Sequence, residues 1–137
     1  MTRSIEKFGC TLTVATLLAV GLGFSGAAQA GDAAEQAQTA ADHAGYAAGS
    51  DGIDSVHAHL HHALNCLVGP NGEGFDASFG YPCDGMGSGA LNDADMDHQT
   101  TYLDAIAEIK GGLATDDVTA AQTAAVEAGN TLSGDAM

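Results

Sequence analysis

Basic residues are almost missing from this chain. Three Lys and Arg stand against 18 Asp and Glu in 137 residues, a formal net charge of −15. Such a surface repels phosphate backbones and anionic lipid, which excludes nucleic acid and membrane surfaces as partners. Arg3 is the one arginine, so no guanidinium fork is left to grip a phosphorylated substrate once the N-terminal segment is removed. Aromatic residues make up 5%, with no Trp, so little bulk is at hand to surround a porphyrin. Proline occurs twice and cysteine three times. No C-x-x-C or C-x-x-C-H is present, which speaks against thioredoxin-type redox work and covalent c-type haem. No G-x-S-x-G, H-E-x-x-H or phosphate-cradling glycine motif is found, and Ser50 and Ser55 have no nucleophile setting. The chain is not expected to be an enzyme. Neither a strand pattern nor a repeat of fixed period appears.

What is present begins with a leader. Residues 1–30 read as a signal peptide: Arg3 and Lys7 open it, Leu12 to Phe24 form a short Gly-interrupted apolar run, and Ala28-Gln29-Ala30 is a small-x-small cleavage site. Cys10 precedes the apolar run, does not make a lipoprotein box, and is lost on maturation. Residues 31–137 then form one domain, periplasmic or secreted, with no membrane attachment after cleavage. The 18 acids less Glu6 leave 17, and Lys110 is the remaining base, so the mature net charge is −16. Solubility accounts for most of these acids.

Two cysteines survive, Cys66 and Cys83. In an oxidising compartment an even pair in a small domain predicts a disulfide. It would close a loop of about 17 residues, for which the chain-entropy model gives on the order of 3 kcal/mol.

The densest chemistry lies at 56–66, where His57, His59, His61 and His62 fall within six residues and Cys66 follows. Ile53, Val56, Leu60, Leu64 and Leu67 keep helical spacing and define one apolar stripe. On that helix His57 sits in the stripe and His61 at its edge, four residues on, so the two reach a common metal ion from one face. His59 falls on the opposite flank, beside Ala63 and Cys66, and His62 points to water.

The flanking segments fill in the fold. Alanines spaced from Ala33 to Ala48 predict a first helix, N-capped at Asp32, with His43 beside its alanine face. Asp51 or Asp54 is expected to cap the histidine helix. Residues 69–97 hold both prolines and seven glycines and read as a long ordered flap, tethered by the disulfide and anchored by Phe75, Phe79, Tyr81 and Pro82. Asp93, Asp95 and Asp97 have partial calcium-loop spacing, but His98 replaces the central glycine, so they are expected to cap the third helix. That helix runs from about His98 to Lys110, with Gly111-Gly112 as its stop. Thr115 is expected to cap a fourth helix with a thin alanine face, frayed from Gly129. The fold class is therefore all-α: a small antiparallel bundle of about four short helices with a long Gly-rich, disulfide-tethered loop.

The function these features favour is metal binding. Imidazole suits copper, zinc and nickel, and thioether adds affinity for cuprous copper. His57 and His61 form the preferred pair. His98, Met86 or Met96 completes a copper or zinc site, and His62 and His59 serve weaker exposed sites. In broad plan the chain resembles the small histidine-bearing helical metal carriers of bacterial periplasms, a likeness of architecture and composition that fixes no residues. Two other classes stand beside it: a non-catalytic acidic module that meets a basic protein partner, and a non-covalent haem carrier using His57 or His61 with His98 or a methionine. The colour of the purified protein separates haem from the rest, and calorimetry with copper and zinc separates the other two.

Overall fold

The computed structural model describes residues 31–135; the leader read at 1–30, its cleavage site and Cys10 lie outside the described residues. The described chain is all-helical, with five helices: α1 (Ala33–Ala48), α2 (Ile53–Val68), α3 (Ala90–Asp93), α4 (Met96–Leu113) and α5 (Val118–Asp135). A 3-10 turn, Ala77–Phe79, interrupts the segment between α2 and α3. The four long helices form a bundle in which α2 packs on α1 and α4, and α5 packs on both α4 and α1. Opposite ends lie side by side: His57, early in α2, contacts Gly112 and Thr115 at the end of α4.

The core follows the sequence stripe and then exceeds it. Val56, Leu60, Leu64 and Leu67 are buried, and so are Ala63, Asn65 and Cys66 on the adjoining flank of α2. Alanines do the covering. Ala37, Ala40, Ala44 and Ala47 of α1 and Ala121, Ala125 and Ala128 of α5 are buried. Alanine contributes little area per residue, whereas the fully buried large side chains Leu60, Leu67 and Ile109 contribute about 1.5–3 kcal/mol each.

Helix ends correct several expectations. Asp32 caps α1 as expected, accepting from Glu35 N at 3.0 Å. Gly52, not Asp51 or Asp54, is the N-cap of α2, and no side chain caps it. α4 begins at Met96, because Asp95 accepts from His98 N. It also runs through Gly111-Gly112. Gly112 serves close approach rather than termination: a Cβ there would meet Leu60 Cδ1 at 2.8 Å and Ala124 Cβ at 3.1 Å. Asp117, rather than Thr115, caps α5 by accepting from Ala120 N at 2.7 Å. α5 continues past Gly129 to Asp135, held by buried Leu132.

The 69–97 segment is ordered but is not one loop, since it holds the 3-10 turn, α3 and the start of α4. The Cys66–Cys83 disulfide fastens it, with Cα atoms 5.3 Å apart and both residues fully buried. Two buried amides do as much. Asn65 Nδ2 donates to Asp76 O at 2.8 Å and Gly80 O at 2.6 Å, while its Oδ1 accepts from Asp76 N at 2.9 Å. Gln36 Nε2 donates to Asp93 Oδ2 at 2.8 Å, and its Oε1 accepts from Gly89 N at 2.9 Å. A buried amide left unmatched costs about 1–3 kcal/mol, so each of these positions admits few other residues.

Candidate metal centre

Covering the Ala63–Cys66 flank of α2 with α1 has a chemical consequence. It brings His43 of α1 against His59 and His62 of α2. One ligand atom from each of the three lies within 4.8 Å of the others, and all three residues are half-buried. His43 Nδ1 and His59 Nδ1 are 3.3 Å apart. Two imidazoles on one tetrahedral ion, at about 2.0–2.1 Å each, have nitrogens about 3.3–3.4 Å apart. In this structure the two nitrogens share a hydrogen bond at that length, so an ion could take both only after the shared hydrogen moves to another ring nitrogen. The His43 ring lies 4.7 Å from that of His62 and 5.6 Å from that of His59. Tyr46, one turn beyond His43, sets its ring 5.6 Å from His43 and 5.5 Å from His59.

The third histidine carries the clearest signal. His62 Nε2 bonds the Phe79 carbonyl. A carbonyl only accepts, so Nε2 bears the hydrogen and the neutral ring keeps its lone pair on Nδ1. That Nδ1 is buried and has no hydrogen-bond partner. Metal-binding histidines characteristically donate their other ring N–H to a carbonyl or carboxylate in this way, which fixes the tautomer and aims the lone pair. His43 and His59 are also held in the ligating form. Burial first, then the neighbouring histidines, lowers the His43 pKa below its ordinary 6.5, against a weaker opposing pull from Asp42. Burial and then His62 lower that of His59.

The sequence-predicted ligands are placed differently. His57 and His61 belong to no group of three or more converging His, Cys, Asp or Glu ligand atoms among the described residues. His57 Nε2 donates to Gly112 O at 3.2 Å and Thr115 O at 3.0 Å, where the end of α4 exposes carbonyls. His61 stacks on Phe79 with ring centroids 3.9 Å apart and planes 10° apart, and its Nδ1, like that of His62, is buried without a hydrogen-bond partner. His98 Nδ1 pairs with Asp95 Oδ1, beside a cavity of about 470 Å³ that Asp32, Asp93 and Tyr102 also line. Met86 packs against the core with its sulfur 4.0 Å from Thr39 Oγ1, and Met96 is 83% exposed. His98 does not join the histidine group. His62, expected to face water, faces α1 and the flap instead.

The acidic step is likewise engaged within the protein. Asp93 Oδ2 accepts from Ser88 N at 2.7 Å as well as from Gln36, so it clamps the flap to α1 rather than capping α4. Asp95 is the cap, and Asp97 lies in the first turn.

No helix among the described residues is long and apolar enough to cross a membrane. The chain matches no known protein family, curated protein or solved structure, so the functional reading rests on this geometry.

Proposed function

We propose that the protein is an exported binder of a transition metal ion, copper or zinc, held by His43, His59 and His62. The observation that carries the reading is the convergence of one ring nitrogen from each of the three within 4.8 Å, with His62 held by a bond from Nε2 to the Phe79 carbonyl and its Nδ1 buried without a partner. Three neutral imidazoles suit cupric copper and zinc, and the group contains no thiolate. Export is supported by the leader pattern and by a disulfide that an oxidising compartment would preserve.

Calorimetric titration of the 31–137 protein with zinc and with copper tests this. One ion per chain is expected, with affinity lost on His62→Ala or His43→Ala. Binding that survives loss of all three histidines would place the site elsewhere.

A further inference from the structure

The metal centre and the flap meet at one residue, Phe79. Its carbonyl accepts from His62, and its ring stacks on His61. Two successive histidines of α2 therefore grip the same residue of the 3-10 turn. Phe79 is held from both sides. Asn65, fully buried, bonds Asp76 just before the turn and Gly80 just after it. Cys66 stands one helical turn beyond His62, and Cys83 stands four residues beyond Phe79, so the disulfide closes the same short bracket. Nothing in α2 alone would keep a carbonyl at His62 Nε2. The flap brings it there, and Asn65 with the disulfide keeps it there.

We propose that the Cys66–Cys83 disulfide and Asn65 are positioning elements of the metal centre. In this reading the closed flap fixes His62 in its ligating tautomer, and opening the disulfide weakens the hold on the ion. The inference rests on the His43–His59–His62 reading above. The redox step is ordinary thiol–disulfide exchange. A dithiol transfers two electrons and two protons to the S–S bond, leaves Cys66 and Cys83 as thiols, and closes to its own disulfide. With the cross-link gone, the 17-residue span keeps to α2 through non-covalent contacts alone, chiefly Asn65, the His61–Phe79 stack, the His62–Phe79 bond and the packing of Phe75 and Tyr81 on the core. His62 can then lose its acceptor and divide between tautomers, one of which has no lone pair on Nδ1. Removing a partner of this kind typically weakens metal affinity about 10–100-fold. Linkage makes the effect reciprocal, so the bound ion protects the disulfide by the same factor.

The test is made on the native chain, by measuring the disulfide's reduction potential in a dithiol buffer at zero and at saturating free zinc. Each tenfold of coupling makes the potential about 30 mV more negative with zinc bound. A shift of that size or more is expected, and an unchanged potential overturns the proposal. Variants give the second arm. Cys66→Ala/Cys83→Ala and Asn65→Asp, each checked for helicity, are expected to bind zinc at least tenfold more weakly. Asn65→Asp keeps the acceptor for Asp76 N but loses both donors. Nitrogen NMR should show His62 protonated at Nε2 in the wild type and mixed between tautomers in these variants. Folded variants that bind zinc as the wild type does, with His62 unchanged, would sink the idea. That outcome leaves the three-histidine site standing, whereas a wild type that binds no metal removes both readings.

Discussion

The two flanks of α2 carry histidines of the same type in one short segment and put them to opposite uses. On the α4 side, His57 directs its ring N–H at the Gly112 and Thr115 carbonyls, where its bond answers backbone acceptors at a helix end. On the α1 side, His59 and His62 meet His43, and His62 Nδ1 is left buried without a partner. The first arrangement completes hydrogen bonding inside the fold. The second brings one ring nitrogen from each of three histidines within 4.8 Å of the others, two of them joined by a hydrogen bond. An unpartnered nitrogen alone does not mark a ligand, since His61 Nδ1 is also buried without a partner; what sets His62 apart is its convergence with two other histidines.

The sharpest way to break this comparison is to exchange the two flanks by mutation. His62→Ala is expected to weaken zinc or copper binding by at least about a hundredfold, since losing only a ligand's supporting partner already costs about 10–100-fold. His57→Ala should leave affinity within about twofold, because its ring bonds to α4. Calorimetry on both variants decides. Equal losses would show that the segment binds metal as an unstructured histidine tract.

The same pair of variants should cross over in stability. His57→Ala removes a bond to the carbonyls at the end of α4 and should cost about 0.5–1.5 kcal/mol. At roughly 4–8 °C per kcal/mol for a domain of this size, thermal melts of the metal-free protein resolve it. Gly112→Ala probes that flank independently, because its Cβ would press on Leu60 at 2.8 Å and Ala124 at 3.1 Å. Overpacking of this kind costs about 1–3 kcal/mol, and metal affinity should be unaffected.

How far the sequence reveals this arrangement depends on side-chain size. The helices, the disulfide and the apolar stripe of α2 are legible because Val56, Leu60, Leu64 and Leu67 are large and keep a 3.6-residue period. The metal centre is not, because the face that covers His59 and His62 is built from alanine. Ala37, Ala40, Ala44 and Ala47 are buried, but their hydrophobic signal is weak, so the Ala63–Cys66 flank of α2 reads as solvent-facing. His43 beside an alanine face, with Tyr46 one turn on, was the one available hint. The bridging roles of Gln36 and Asn65 were also illegible, since a polar residue within a helix ordinarily faces water and each partner here lies many residues away. Gly111-Gly112 misled in the other direction: glycine at a close helix contact looks the same in sequence as glycine at a helix stop.

Acid should separate the flanks more gently. The His43 and His59 pKa values are lowered in the folded protein, mainly by burial. Below the unfolded value of 6.5 the unfolded chain takes up protons that the folded chain resists, so stability present above 6.5 is lost as pH falls through the interval beneath it. Neutral imidazole is also the ligand form, so metal release should follow the same descent. Melting temperatures of the metal-free protein between pH 8 and 5 check the sign. Replacing both His43 and His59 with Gln should flatten the profile, and a stability that rises on acidification would contradict the assignment.

The smallest expected effect comes from calcium, and it applies the same criterion to oxygen ligands. Asp93, Asp95 and Asp97 have the alternate spacing of a calcium loop, yet Asp93 Oδ2 accepts from Ser88 N and Gln36 Nε2, and Asp95 Oδ1 accepts from His98 N. A calcium ion would have to draw these oxygens away from bonds that close the flap and start α4. It would find no bidentate Glu at the twelfth position, where Asp104 stands. Millimolar calcium should therefore leave the melting temperature within about 1 °C, because weak screening of surface acids is all that remains for it to do. Zinc at equal or lower concentration should raise it by several degrees, as any ligand selective for the folded state does. A saturable calcium-dependent rise matching that of zinc would mean that carboxylates bonded inside the fold can still be recruited. The distinction between engaged and unengaged groups would then fail for the histidines as well.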